Sequence, residues 1–394
     1  MNIVFLAPFG IRPKGTVIAR MLPLAVALQE RGHRVTIIAP PYTNPEDSGR
    51  EETVRGVRLI NVALGPGSSA VDTLVLAGRM FRAMLDQSPD LIHLFKPKGY
   101  GGLAAMLHCL LPGPRPPLVV DTDDWEGSGG MNETQGYSRA QRLVFALQER
   151  WLLRRAARVT VASRTLQSLA WAQGTPPARV HYLPNCVNID PSPAVADIRP
   201  LLGVSAETPL LLLYTRFFEF TQERLHHILA SVVRRVPGVR VLVVGRGRNN
   251  EEEQLLEAAR KLDFASALIM AGWIEPEQLP AYLRAGDVAI YPFDDTLVNR
   301  SKCPAKLTEL LLAGVPVVAD RVGQISEYLC HGQAGMLCDP AVPESMSDAV
   351  VALLENRQAA RQLGRHGQQL ISEDFSWSRA AEGLESVYRE VECA

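Results

Sequence analysis

Short apolar runs recur along the chain, each followed by a segment of helix length, and this alternation leaves few architectures open to it. In the first half the expected strands are Ile3–Ala7, Val35–Ala39, Leu59–Val62, Leu91–Phe95, Leu118–Asp121, Val159–Ala162 and Val180–Leu183. The rhythm restarts with Leu210–Tyr214, Val239–Val244, Ala267–Ala271, Val288–Tyr291 and Val315–Ala319. Between the halves, residues 183–203 are rich in proline and polar turn residues and read as a linker. The pattern predicts an α/β protein of two Rossmann-like, doubly wound domains facing across a cleft, over residues 1–190 and 200–374. A chain of 394 residues gives each a full core of its own.

Composition excludes several classes. The 41 basic and 42 acidic residues almost cancel, so no bulk field favours nucleic acid or an anionic membrane. The six cysteines, at 109, 186, 303, 330, 338 and 393, form no CxxC pair, which points to reduced thiols in a cytoplasm rather than a zinc or disulfide framework. The opening "MNIVFLAPFG" lacks the cationic start of a signal peptide and is too short to span a membrane.

Two of the six lysines stand four positions apart in "SKCPAKLTELLLAGVPVVAD", residues 301–320. Pro304 suits a helix's first turn, Leu307, Leu310 and Leu311 have helical spacing, and Gly314 with Pro316 ends it. Lys302, Lys306 and Glu309 are thus expected to cluster at a helix start, where two ammonium groups and the amides of Ala305 and Lys306 could receive a diphosphate. Glu309 could accept from a ribose; the alternative is a solvated helix face. Two further glycine turns are weaker: Gly10 and Gly15 bracket a loop whose Thr16 could cap a helix from Val17, and Gly245 lies in "VVGRG", which lacks a fingerprint's third glycine.

The order "AGWIEPEQLPAYLRAGDVAIYPF…KCPAKLTELLLAGVPVVADRVGQISEYLCHGQAGMLCDP", with "P-K-G-T", "RGHRVTIIAPP", "YLPNCVN" and a closing "DFSWSRAAEGLESVY", resembles the GT-B glycosyltransferases, specifically the large retaining family 4. The resemblance implies a C-terminal helix, 375–394, that crosses back to the first domain. It also implies that Glu309 is the second glutamate of E-x7-E, that Arg216 faces the donor diphosphate, and that Gly15 and Thr16 meet the phosphates. Gly272, Trp273 and Ile274 would read the base.

There are departures. The first glutamate of E-x7-E falls on Ser301, so sugar recognition would shift, with Lys302 a replacement. The lysine that follows the arginine in relatives falls on Thr221 or Gln222; Lys302, Lys306 or Arg224 could supply the charge. Asp123 stands where many relatives carry a histidine near the sugar. Around it, Asp121, Asp124 and Glu126 leave three readings open: a metal site, an acid/base and acceptor-binding face, or turn capping.

The expected function is transfer of a sugar from a nucleoside-diphosphate sugar, most plausibly UDP-linked, to an acceptor hydroxyl with retention. No metal or other cofactor is called for, and the acceptor is unspecified. Asp123, Arg216 and Lys306 would carry catalysis; Gly15, Thr16, Gly245, Trp273, Ile274, Lys302, Ala305 and Glu309 would hold the donor; Lys98, Asp124 and Glu126 would face the acceptor, with Lys96 and Gly99 beside them. The rivals are a UDP-sugar 2-epimerase or hydrolase and a non-catalytic subunit. His226 and His227 read as helix fillers, His93 as the end of a strand, and Arg150, Arg154, Arg155 and Arg158 as either a solvated face or a rest on an anionic inner membrane face.

Overall fold

The computed structural model describes residues 1–12, 15–65, 67, 70–189 and 196–392. Pro13 and Lys14 of the P-K-G-T stretch, residues 190–195 of the linker, and Cys393 lie outside these. The chain divides into two units, Met1–Asn188 with Ser301–Cys303 and Ser376–Ala394, and Ile189–Arg300 with Pro304–Phe375.

The first unit holds β1 (Asn2–Leu6), β2 (Arg34–Ala39), β3 (Glu51–Val54), β4 (Val57–Asn61), β5 (Leu91–Phe95), β6 (Leu118–Thr122), β7 (Arg158–Val161) and β8 (Val180–Tyr182). They form one sheet in the order β3-β4-β2-β1-β5-β6-β7-β8, with β3 antiparallel to β4 and the other pairs parallel. The expected strands all appear, displaced by a residue or two at their ends. β3 was not expected: "EETV" has no apolar run, and its strand character comes from a tight turn at Arg55 and Gly56, both at positive φ.

The second unit holds β9 (Leu210–Tyr214), β10 (Arg240–Val244), β11 (Leu268–Gly272), β12 (Val288–Tyr291), β13 (Val317–Asp320) and β14 (Met336–Cys338) in the order β11-β10-β9-β12-β13-β14, all parallel. β13 begins two residues later than expected, because Val315 and Pro316 belong to the turn, and the three-residue β14 was not expected. The continuous apolar burial of β9 and β5 suits sheets covered on both faces.

The closing helix Trp377–Glu392 returns to the first unit, where Trp377, Ala381, Leu384 and Tyr388 share a core with Phe5 and Leu24. Arg31 anchors it through Glu385. His93 is not a strand end but lies mid-β5, fully buried, its Nδ1 2.7 Å from the Tyr388 hydroxyl and its Nε2 3.2 Å from Thr160 Oγ1. Burial, reinforced by Arg20, holds it neutral. In both sheets the strand order reverses beside the first strand of the unit, at β1/β5 and β9/β12, and ligands of doubly wound sheets gather at such switch points.

Candidate functional site

In the first unit the loops after β1, β5 and β6 meet in a compact charged network. A π-helical turn, Val17–Met21, precedes the helix Leu22–Glu30. Thr16 does not cap it: its backbone is already helical, and its hydroxyl donates instead to Asp123 Oδ2 at 3.2 Å. Lys96, at φ 55°, stands right after β5 and bonds Asp123 Oδ1 at 2.9 Å and the Asp124 carboxylate. Burial works against the Lys96 charge, but Asp123, Asp124 and Glu126 hold its pKa well above the usual value. Burial likewise opposes the Asp123 carboxylate, and Lys96 and Arg20 overcome it, leaving the pKa lowered. Lys98 pairs with Glu126 at 2.7 Å and lies over the rings of Tyr137 and Phe145.

Beneath this network Arg20 forms a forked pair with Asp121, Nε to Oδ1 at 2.8 Å and Nη2 to Oδ2 at 2.6 Å. Both side chains are buried, and Thr160 also donates to Asp121. Burial works against the guanidinium charge; the Asp121 charge more than offsets that, leaving the pKa raised. Asp121 is therefore a residue of β6 that fixes the sheet end. None of the aspartates caps a helix: Gly130 precedes the next one, and the carboxylates of Asp123 and Asp124 face lysine. Among the described residues no cluster of His, Cys, Asp or Glu is arranged to hold a metal ion.

Glu149, on the helix Arg139–Arg155, closes the network from behind. Its Oε1 accepts from the Glu126 amide at 3.4 Å, while its buried Oε2 has no partner. Burial and the neighbouring Glu126 charge push its pKa from 4.5 to about 8. Folded protein thus keeps a proton that unfolded protein gives up, so stability falls as pH rises from about 4.5 to about 8 and levels off above. Glu149→Gln should remove that slope, its urea midpoint gaining on the parent's as pH rises. Parallel midpoints across this range would show that the carboxyl ionises normally.

In the second unit, Tyr214 at the end of β9 organises the predicted donor residues. Its hydroxyl donates to Glu309 Oε2 at 2.7 Å, and Lys306 Nζ stands 3.5 Å from its ring centroid. Both partners sit on the helix Ala305–Leu312, preceded by Pro304, which gives the amides of the first turn no side-chain cap. Burial and the Glu309 charge push the Tyr214 hydroxyl far up, so it stays a donor. Leu213, Tyr214, Thr215, Tyr291, Phe293 and Lys306 line a small pocket there.

Arg216 is exposed and packs on the Phe218 ring, 4.8 Å from its centroid, while Arg248 lies 5.4 Å from the same ring. Arg224 is committed elsewhere, bidentate to Asp320 and 3.6 Å from Asp294, so it is not the spare cation the sequence suggested. Lys302 is buried and groups with the first unit, whereas Lys306 and Glu309 belong to the second.

Gly245 closes the turn after β10. At φ 120° it gives its amide to Gly272 O, and a Cβ would stand 1.9 Å from the Thr215 carbonyl. The position thus serves close backbone approach. Gly247 N bonds Glu252, and Asn249 N bonds Glu251, so this turn's amides serve their own helix. Trp273 is 57% exposed just beyond β11, with Ile274 half-buried beside it. Gly15 supplies its carbonyl to Ala19 N.

Two family descriptions fit the chain in tandem: "Glycosyl transferase 4-like domain" over residues 15–186 and "Glycosyl transferases group 1" over 208–356. The chain is a GT-B glycosyltransferase of the family 4 type. Similar proteins include a glycogen synthase of Mycobacterium tuberculosis, 26% identical over 93% of this chain and 88% of its own. A GDP-mannose-dependent alpha-(1-6)-phosphatidylinositol monomannoside mannosyltransferase of that organism is 26% identical over 91% and 90%. Among solved structures, a sucrose-phosphate synthase from Thermosynechococcus elongatus shares the fold at TM-score 0.77 and 19% identity over 99% and 98% of the chains. Anabaena HepE in complex with UDP and glucose does so at 0.72 and 19% over 99% and 100%.

As a glycosyltransferase the chain binds a nucleotide-sugar donor and an acceptor. Tyr214, Arg20, Glu149 and Arg248 were not singled out from its sequence. Arg20 is the one cation inside "VIARMLPLAVAL", and Glu149 lies on the helix face that carries Leu152 and Leu153, so each left a trace as a charge among apolar residues.

Proposed function

We propose that this glycosyltransferase moves a hexose from a UDP-sugar to an acceptor hydroxyl with retention of configuration and without a metal ion or other cofactor, in the cytoplasm. The observation that carries the reading is the Lys306–Tyr214–Glu309 group at an uncapped helix start beside the β9/β12 switch point. A diphosphate suits the ammonium and the first-turn amides of Ala305 and Lys306, and the ribose suits Glu309. Trp273 and Ile274 border the base, and Gly15 and Thr16 belong to the phosphate-facing loop of the first unit.

Arg248 takes the part of the missing lysine. It shares the Phe218 ring with Arg216, so two guanidiniums stand together where the family pattern has an arginine and a lysine. As the anomeric C–O bond breaks, the diphosphate departs with the electron pair, and Arg216, Arg248 and Lys306 stabilise its charge. The acceptor oxygen bonds the anomeric carbon from the same face and passes its proton to the departing phosphate. The fixed charges make this possible without a cation from solution. UDP is favoured as leaving group because HepE, which has this fold, was solved with UDP and glucose; the mannosyltransferase relative is named for GDP-mannose.

A thermal-shift screen of nucleoside diphosphates, followed by turnover assays with and without EDTA, tests the reading. UDP should raise the unfolding temperature most and chelator should leave turnover intact. A GDP-selective shift would replace the base, and loss of turnover restored by manganese would overturn the metal-free clamp.

Lys98, Asp124 and Glu126 line the acceptor side in the proposal, with Asp123 nearest the sugar. Asp123→Asn should slow transfer sharply while nucleotide affinity stays within about 1 kcal/mol, the range of remote changes. Undiminished transfer would reduce Asp123 to a structural partner of Lys96.

A further inference from the structure

The helix Arg139–Arg155 shows solvent a face that a soluble globule has no use for. Leu143 is 62% exposed, Val144 47% and Leu147 56%, and the half-buried Trp151 continues the line at helical spacing. Arg139, Arg150 and Arg154 lie along the same side and are exposed, as is Arg155, whose guanidinium stands 5.2 Å from the Trp151 ring centroid. The helix's one carboxyl, Glu149, points the other way and is buried.

The helix Gly99–Leu110 packs beside it. It carries no acidic residue, and Leu107, Leu110 and the following Leu111 are exposed. Leu143, Val144 and Leu147 thus form an exposed apolar stripe bordered by arginine, more than the single exposed leucines normal on a monomer.

We propose that this face docks on an anionic lipid bilayer, its leucines and Trp151 entering the headgroup boundary and its arginines meeting lipid phosphates. Charge selects this occupant over a second copy of the chain. A two-fold dimer through the same patch would set these arginines against themselves. The protein would lie on the bilayer, since no helix among the described residues is long and apolar enough to cross one.

The test is co-sedimentation of the full chain with vesicles of phosphatidylglycerol mixed into phosphatidylcholine, beside pure phosphatidylcholine, and it needs no turnover. Binding is expected to the anionic vesicles alone and to weaken with salt. Leu143→Gln with Leu147→Gln should lower the partition at least about tenfold, and Arg150→Gln with Arg155→Gln should lower it most at low salt. Both variants should keep the parent's unfolding midpoint, since the altered side chains are exposed. The proposal is overturned if the parent ignores anionic vesicles, or if the leucine variant binds them as well as the parent. A parent dimer that the leucine variant converts to monomer, with no vesicle binding, would overturn it in favour of self-association.

Discussion

Arg20→Met is expected to destabilise the first unit by about 3–5 kcal/mol, the usual result of removing one partner from a buried ion pair. The substitution keeps most of the side chain's volume, so the loss comes from charge: Asp121 stays buried, bonded to Thr160 but without its guanidinium. The same change removes the bonds from Arg20 to the Leu183 carbonyl and to Asn185, which tie β8's exit to the sheet. Pairing it with Asp121→Asn should recover part of the deficit, because the orphaned charge is gone. Urea unfolding followed by tryptophan fluorescence reads mainly the first unit, which holds four of the five tryptophans. A loss below about 1 kcal/mol would mean that water or a neighbouring cation compensates, and that the forked geometry contributes little.

Glu309→Gln should weaken binding of the nucleoside diphosphate by about 1.5–3 kcal/mol, the worth of a hydrogen bond to a charged group, or roughly tenfold to a hundredfold in affinity. An amide can still accept from Tyr214, so the fold should tolerate it and calorimetry will report the ligand rather than unfolding. Tyr214→Phe makes a useful companion: it keeps the ring beneath Lys306 but withdraws the donor from Glu309, and should cost less, about 0.5–1.5 kcal/mol. Unchanged affinity in Glu309→Gln would take the ribose contact away from this residue. The donor reading would then rest on Arg216, Arg248 and Lys306 alone.

The parts of the fold that could be read from sequence are those that local chemistry dictates. Strands such as "LLLLY" and "LIHLF" are short, almost wholly apolar runs, and Gly314 with Pro316 leaves a helix no way to continue. β3 escaped because its partner strand and the Arg55-Gly56 turn make it a strand, and "EETV" alone does not. At the site the limit was distance along the chain. Arg20 takes its meaning from Asp121, 101 positions away, and Thr16 turned from cap to hydroxyl donor because Asp123 lies 107 positions on. Arg224 matched the place for a missing cation, yet Asp320 had already claimed it. Lys306 and Glu309 were legible together because a single short helix carries both.

The turn after β10 has a consequence for anyone redesigning this scaffold. Rossmann folds that take dinucleotides leave the helix after a glycine turn open to an incoming phosphate. Here that seat comes with a built-in occupant: the Glu251 carboxylate is 6% exposed, bonded by Asn249, and held below the usual carboxylate range by backbone amides despite burial. On the proposed reading the second unit takes one phosphate-bearing guest, at the Ala305–Leu312 helix, while its glycine turn is electrically closed to another. Grafting a second nucleotide pocket onto this protein would have to begin by evicting Glu251, and the helix would need a neutral cap such as serine in its place.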